Sequence, residues 1–257
     1  MLLRWLRFVT GILVAALVVS GCGGSDDDTA AKAPDDIATT VSAPPGQDVE
    51  GDRKLAENAV LKLDDMPSGW TAEPDSEEDE GEEVAETMAH CLDVPVETLT
   101  REGPADAESP TFNDPEEDFS VQSEVGYLVD TATAKERFDL FARDDVPGCL
   151  AGAVSKLIDD RIKNPRTPED TLPEGAVVRD PKVAQMSFPN LADYTAAYRV
   201  SVPIEFRGLT FTLYLDLVVA LKGRAGTTFF FTGNDTPFDT DEAQRYVKLV
   251  LDRMVST

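Results

Sequence analysis

The sequence predicts an α+β domain, in which helices cover an antiparallel sheet of about five strands with a long central hairpin. Two observations lead to this fold class. The C-terminal third carries two long alternating apolar patterns, and several shorter stretches have apolar residues at helical spacing. A sheet with one apolar face must be covered, and the helices supply that cover.

The central hairpin is the strongest structural signal. Apolar side chains occupy every even position over 194–206 and every odd position over 209–221. A two-residue turn at Arg207-Gly208 pairs position i with position 415 − i, so every even position faces an odd one. The two apolar faces therefore coincide along the whole hairpin. Pro203 indicates an edge position or a bulge in the first strand.

Shorter strands extend this sheet. Residues 183–188 and 227–232 are predicted to flank the hairpin in an antiparallel meander, and alternation over 119–129 predicts a half-buried strand. Prolines and acidic residues without apolar periodicity predict loops over 101–118 and 164–175.

Five helices are predicted from helical spacing: 53–66, 84–92, one starting near Thr133, one opened by Cys149, and 240–255. Thr133 and Glu136 have the spacing of a capping box, and Asp239 is a candidate N-cap with Glu242 at N3. We expect Ala243, Tyr246, Val247, Val250 and Met254 to form the buried stripe of the last helix. Pro147-Gly148 predicts a break between the third and fourth helices.

The charge of the chain excludes one class of partner. The formal net charge is −26, from 49 acidic and 23 basic residues. Such a surface repels DNA and RNA, so we expect no nucleic-acid partner. Residues 73–83 are strongly acidic but lack the D-x-[DN]-x-[DN]-G spacing that directs oxygens at one calcium ion. We interpret them as a solvated loop.

The first 22 residues have the layout of an export signal. A short positive region with Arg4 and Arg7 precedes an apolar run over 8–19, which is shorter than the roughly 20 residues that span a bilayer. The run ends at Val19-Ser20-Gly21-Cys22, which resembles the bacterial lipobox. That resemblance implies cleavage between Gly21 and Cys22 and a diacylglycerol on the Cys22 thiol.

These features divide the chain into three predicted parts. They are a lipoprotein signal peptide (1–21), an acylated Cys with a disordered acidic tether (22–52), and a single extracytoplasmic domain (53–257). Two or more acyl chains give stable anchoring. The predicted location is therefore the cell membrane, facing the extracytoplasmic side, with the membrane as a partner through the lipid on Cys22.

Two cysteines remain if Cys22 is acylated. The space outside the membrane is oxidising, so Cys91 and Cys149 are predicted to form a structural disulfide. A reactive thiol pair or a metal site is the alternative, but His90 and two cysteines lack a fourth ligand. We therefore predict no metal site.

The sequence lacks the common catalytic motifs. There is no G-x-S-x-G, H-E-x-x-H, P-loop or G-x-G-x-x-G sequence, and His90 is the sole histidine. We expect no cofactor and no enzymatic activity. Arg199, Arg207, Lys222 and Arg224 stand at strand and turn positions. They could meet an anionic ligand, but we prefer protection of strand edges against aggregation.

A family resemblance rests on Leu-x-x-Asp-Asp-Met-Pro-Ser-Gly-Trp over 61–70, followed by two cysteines around a helix–strand–helix segment, a long hairpin and a final helix. Over 55–255 this arrangement resembles actinobacterial envelope lipoproteins of the LpqN type and the extracellular sensor domain of PknH-type kinases. The sensor domain carries two disulfides, whereas this chain has cysteines for one. The resemblance does not transfer ligand-binding residues.

Three functions are compatible with the sequence. The first is a non-enzymatic, sensor-like domain that binds a small apolar ligand or an envelope protein. The second is a structural or assembly protein of the cell envelope, and the third is a hydrolase with an unrecognised carboxylate site. A cavity of roughly 300 Å³ or more between sheet and helices would favour the first. An exposed apolar patch would favour the second. Two facing carboxylates, one with a raised pKa, would favour the third.

Overall fold

The computed structural model describes residues 48–74, 80–100, 105–116, 118–165 and 171–254. Cys22, the predicted signal peptide and the tether up to residue 47 lie outside the described residues, and their predictions remain predictions. Within the described ranges, no helix has both the length and the apolar composition needed to cross a membrane.

The described ranges contain six helices and nine strands. The helices are α1 (Val49–Ala59), α2 (Glu80–Leu92), α3 (Val96–Thr100), α4 (Thr131–Phe141), α5 (Val146–Lys163) and α6 (Thr240–Arg253), with a short 3₁₀ turn at Leu63–Asp65. The strands are β1 (Thr71–Glu73), β2 (Ala105–Glu108), β3 (Thr111–Asn113), β4 (Phe119–Tyr127), β5 (Val177–Val178), β6 (Lys182–Gln185), β7 (Tyr194–Phe206), β8 (Leu209–Lys222) and β9 (Ala225–Asn234).

All the strands of the described ranges form one antiparallel sheet, ordered β1-β3-β4-β9-β8-β7-β5, with β2 beside β4 and β6 beside β7. This confirms the α+β class but corrects the expected size, because about five strands were predicted and nine are present. The predicted strands correspond to β4, β6, β7, β8 and β9. The other four have two to four residues each, too few to show an alternating pattern.

The register of the central hairpin is the predicted one. Tyr194 pairs with Leu221 at one end and Phe206 with Leu209 at the other, without a slip between them. Arg207 and Gly208 both have positive φ, at 52° and 81°, which is typical of the type I′ turn that suits the twist of a hairpin.

Pro203 lies at a bulge beside the outer edge of β7. Residues 177–178 (β5) pair with 204–205, and β6 begins with Lys182 opposite Ser201. Three residues, 179–181, therefore face the two residues 202–203. Proline has no backbone N–H to donate, and the bulge requires none at this position. Only the Pro203 carbonyl oxygen takes part, accepting a hydrogen bond from the Arg179 amide at 2.9 Å.

Helices cover both faces of the sheet. The alternating apolar residues of β7 and β8, such as Val200 and Leu217, pack against α2, α3, α4 and α5 on what we term the four-helix face. The opposite, two-helix face carries Val218, Phe229 and Phe231, which pack against α1 and α6. The chain therefore folds as three layers, with the sheet in the middle.

The final helix follows the prediction closely. Asp239 caps α6 by accepting a hydrogen bond from the Glu242 amide at 2.9 Å. All five residues of the expected stripe, Ala243, Tyr246, Val247, Val250 and Met254, are buried on the two-helix face. The Asp65 carboxylate also holds this helix through two hydrogen bonds from the Arg253 guanidinium, at 2.6 and 2.8 Å.

Three predicted helix boundaries need correction. The helix expected over 53–66 begins at Val49 and ends at Ala59, because the Asp48 carboxylate caps its first turn. The capping box predicted at Thr133 is wrong, since Asp130 accepts from the Thr133 amide at 2.7 Å and α4 starts at Thr131. The break predicted at Pro147-Gly148 lies before Val146 instead. Pro147 is in the first turn of α5, where a proline removes no helical hydrogen bond.

The loop predicted over 101–118 is also wrong in part. It contains β2 and β3, which pair with opposite halves of β4. Their backbone groups form strands because β4 offers an open edge, although the side chains of Ala105–Glu108 and Thr111–Asn113 give little apolar alternation.

Candidate ligand-binding cavity

A cavity of about 140 Å³ lies between the four-helix face of the sheet and helices α2 to α5. The helices contribute apolar side chains to its wall, namely Val84, Ala85, Met88, Leu99, Ala134, Phe138, Phe141, Val146 and Leu150. The sheet contributes Leu217, Val219 and Leu221, and Leu128 follows the end of β4. The cavity is therefore predominantly apolar.

Local periodicity explains why these side chains meet. Leu217, Val219 and Leu221 are successive same-face residues of β8, so they form the floor. Ala134 and Phe138 are one helical turn apart on α4, as are Val146 and Leu150 on α5. The small side chains of Ala85 and Ala134 leave the space that larger residues would fill.

The predicted disulfide is confirmed, and it lies beside the cavity wall. Cys91 on α2 and Cys149 on α5 are bonded, with their Cα atoms 5.5 Å apart. Met88, on α2, and Leu150, on α5, both line the cavity within one turn of the bonded cysteines. The disulfide therefore fixes the spacing of two helices that form the wall.

Polar contacts reinforce the same two helices. Arg143 donates from Nη1 to the Leu92 carbonyl oxygen at 2.9 Å and binds the Asp145 carboxylate through Nε and Nη2 at 3.0 and 2.6 Å. The hydrogen bonds from Arg143 lower the pKa of Asp145. A further contact joins the sheet to α4: the Tyr198 hydroxyl on β7 donates to the Phe141 carbonyl oxygen, and burial raises the pKa of Tyr198.

Five polar residues also line the cavity: Asp106, Glu124, Arg137, Thr227 and Thr228. Asp106 lies on β2 opposite Gly126 of β4, and a Cβ atom at Gly126 would stand 3.2 Å from the Asp106 carboxylate. Glycine therefore permits the close approach of this carboxylate. Arg137 extends from α4 and donates from Nη2 to the Leu99 carbonyl oxygen at 3.3 Å.

A search against protein-family models finds no match for the chain, and a search of curated proteins finds none either. The resemblance to LpqN-type lipoproteins and PknH-type sensor domains therefore remains a prediction.

The basic residues noted in the sequence make contacts within the fold. Arg199 binds Asp216 through two hydrogen bonds of 2.6 Å; burial raises the pKa of Asp216, and this ion pair opposes the rise. Lys222 donates to the carbonyl oxygens of Leu251 and Met254 at the end of α6, at 2.7 and 2.8 Å.

Arg224 binds Asp52, which is buried, at 2.5 and 2.9 Å. Arg207 stands at the tip of the hairpin, over the Phe206 ring at 4.9 Å. Of the four basic residues, Arg199, Lys222 and Arg224 thus hold elements of the fold together rather than guarding a strand edge.

Other sequence candidates lie away from the cavity. His90 is exposed on α2 and is not one of the residues lining it. Among the described residues, no group of three His, Cys, Asp or Glu side chains is placed to hold a metal ion. The acidic segment 73–83 lies largely outside the residues whose side chains are described.

The sequence interpretation missed Asp106 and Glu124 as cavity residues. Asp106 falls in the stretch predicted as a loop, although small and acidic residues alternate in Ala105-Asp106-Ala107-Glu108. That period of two was the available signal. Glu124 lies in a correctly predicted strand, but only the register with β2 places it beside the other carboxylates.

Proposed function

We propose that this chain is a lipid-anchored extracytoplasmic binding protein, whose domain accepts a small apolar ligand, or the apolar end of a larger one, without catalysing a reaction. The observation that carries this proposal is the apolar cavity between sheet and helices. Protein interiors rarely leave spaces larger than a water molecule, because side chains pack closely. A wall of apolar side chains with a few polar groups is also typical of ligand sites.

The volume of the cavity limits the size of the buried group. At about 140 Å³ it is smaller than the roughly 300 Å³ expected for a site that encloses a drug-sized molecule. An apolar cavity of about 150 Å³ holds a molecule as large as benzene. The proposed guest is therefore a group of about six carbon atoms, such as a short alkyl chain or one ring.

The proposed location rests on the N-terminal sequence. The apolar run over 8–19 and the lipobox-like residues before Cys22 support export and acylation. The Cys91–Cys149 disulfide supports a location outside the reducing cytosol.

The assembly alternative has less support. Five large apolar side chains in the described ranges are more than a third exposed, namely Leu63, Ile162, Val177, Tyr194 and Leu209, and each belongs to a different element. Single exposed apolar residues are normal on protein surfaces.

The hydrolase alternative would require two acidic groups with separated roles. Asp106 and Glu124 both line the cavity. Asp216 has a raised pKa, but it projects from the two-helix face and is bound by Arg199. This raised pKa therefore does not belong to a carboxylate that lines the cavity, so it gives the hydrolase alternative no support.

Native mass spectrometry of the full chain tests the proposal. The protein is extracted from its host membrane, and wild type is compared with Ala85→Leu and Ala89→Leu. Ala85 lines the cavity, whereas Ala89, one turn further along α2, is fully buried and does not. We expect a bound small molecule in wild type and Ala89→Leu, and its loss in Ala85→Leu. Wild-type protein without bound mass, or equal retention by both variants, would contradict the proposal.

A further inference from the structure

The mouth of the cavity lies on its sheet side. The helical side chains that line the cavity are buried, apart from Arg137 and Phe141, which are partly exposed. On the sheet, β8 contributes only buried lining residues, whereas Gly226 and Thr228 of β9 are partly exposed, as are the lining residues of β2 and β4. Within the described part of the chain, the cavity therefore opens to solvent over β9, β4 and β2.

Gly226, at this mouth, is a glycine that the fold itself does not require. Glycine weakens a strand, and inside one it usually marks a bulge, a bend or the close approach of a backbone or a ligand. Gly226 does not have a positive φ, and it pairs in unbroken register with Gly126 on one side and Leu221 on the other. A Cβ atom built on it would meet no heavy atom within 4 Å. Of these explanations, the approach of a ligand is the one that remains.

The neighbouring strands limit the width of the open space over Gly226. On β4, the Asp106 carboxylate lies over Gly126, 3.2 Å from the place of its missing Cβ atom. On β8, the Leu221 side chain stands opposite Gly226 and lines the cavity. The opening between them is therefore about 4.8 Å wide, the spacing of one strand. A linear alkyl chain is about as wide as this opening, whereas a branched chain or a ring lying flat on the sheet is wider.

We infer that the ligand is a linear alkyl chain of more than six carbon atoms, and that residue 226 determines which chain lengths bind best. The end of the chain fills the cavity, the next carbon atoms lie across Gly226, and any polar group stays outside the mouth. This inference rests on the proposed function, because the same cavity holds the end of the chain. A ligand of six carbon atoms or fewer would fit inside the cavity and would gain nothing from the open space over Gly226.

Methyl NMR of methionine in the full chain, solubilised in detergent, provides a site-specific test. Met88 lines the cavity, whereas Met66 and Met254 pack on the two-helix face and serve as internal controls. The probes are 1-hexanol and 1-octanol, which differ by two methylene groups. Full burial of one methylene tightens binding about fourfold, and a partly exposed floor should give about twofold. We therefore expect both alkanols to shift the Met88 methyl signal of wild type, with 1-octanol binding about fourfold more tightly.

Two matched variants locate the effect of chain length. Gly226→Val places three carbon atoms in the path of the chain, so it should abolish the preference for 1-octanol and leave 1-hexanol binding within about twofold. Gly152→Val adds the same atoms at an exposed position of α5 that also has open space but does not line the cavity, and it should keep the fourfold preference. All variants share one detergent, so partition of the alkanols into it cancels. If Gly226→Val disturbs the control signals, Gly226→Ala replaces it and should reduce the preference to about twofold.

The outcomes separate this inference from the proposed function. If neither alkanol shifts the Met88 signal of wild type, the proposed function fails and the inference fails with it. If 1-hexanol binds but 1-octanol binds no more tightly, the inference fails while the cavity remains a binding site. A fourfold preference retained by Gly226→Val would also overturn the inference. Equal weakening of both alkanols in Gly226→Val would show that Gly226 acts on the fold alone, which contradicts its role in chain length.

Discussion

Filling the cavity from α2 should make the protein more stable rather than less. Replacing Ala85 with Leu adds three carbon atoms to a side chain that already faces a space of about 140 Å³. Most large substitutions in a close-packed core are destabilising, since they force neighbours to move. Here the added atoms would enter space that exists in the native fold, and helix propensity stays high because leucine is a good helix former.

The magnitude follows from the area that the new atoms remove from water. Each buried methylene contributes about 0.8 kcal/mol, or roughly 2.4 kcal/mol for three carbon atoms. The lost rotamer freedom of leucine costs about 0.5–1 kcal/mol. The free energy of unfolding should therefore rise by roughly 1.5 kcal/mol, which corresponds to an increase in Tm of about 3–6 °C for a domain of this size.

Ala89→Leu is the matched control for this prediction. Ala89 has no exposed surface and does not line the cavity, so its enlargement should cost about 1–3 kcal/mol. Urea denaturation followed by far-UV circular dichroism measures both variants on the same scale. A loss of stability in Ala85→Leu as large as that in Ala89→Leu would show that the space beside Ala85 is not available, and the reasoning would be refuted.

Three further predictions concern the disulfide, an ion pair and the anchor. Replacing Cys91 and Cys149 together with Ser should lower the free energy of unfolding by about 4 kcal/mol in chemical denaturation, given the separation of 58 residues; an unchanged midpoint would contradict the role assigned to the bond. Burial would raise the pKa of Asp65, but hydrogen bonds from Arg253 and the Lys62 amide outweigh it and lower the pKa. The stabilisation is present above the pKa that Asp65 has in the unfolded protein, and it is lost as the pH falls through its pKa in the folded protein. Asp65→Asn should therefore flatten the decrease in the free energy of unfolding below about pH 4. An unchanged decrease would refute the role assigned to Asp65. Replacing Cys22 with Ser should abolish palmitate labelling and move the protein out of the acylated membrane fraction, whereas persistent labelling would disprove acylation at Cys22.

The parts of the fold that were predictable are those whose pattern is contained in one stretch of chain. The strands over 194–206 and 209–221 have a period of two, and a shift of one residue would expose one complete apolar set. Their register follows from the sequence for that reason. The cap of α6 at Asp239 was predictable because it depends on residues within one helical turn.

The rest depends on contacts between distant segments. Strands β2 and β3 are short, and they form because β4 offers backbone partners; the period of two over 105–108 is too brief to predict a strand by itself. The cavity also depends on tertiary packing. In the sequence, the alanines at 85 and 134 look like ordinary helix residues, and they leave a space only because α2 and α4 pack on the same face of the sheet. Asp106 and Glu124 meet at the cavity only because β2 pairs with β4, and they lie 18 positions apart in the sequence.

The central claim is that the domain contains a preformed, apolar and accessible cavity, and xenon binding tests it most directly. Xenon enters dry apolar cavities of this size. Diffraction from crystals of the protein pressurised with xenon should show one strong anomalous peak between Met88, Phe138 and Leu217. The same peak should be absent from crystals of Ala85→Leu. A space filled by ordered waters, or no peak at that position in wild type, would contradict the account.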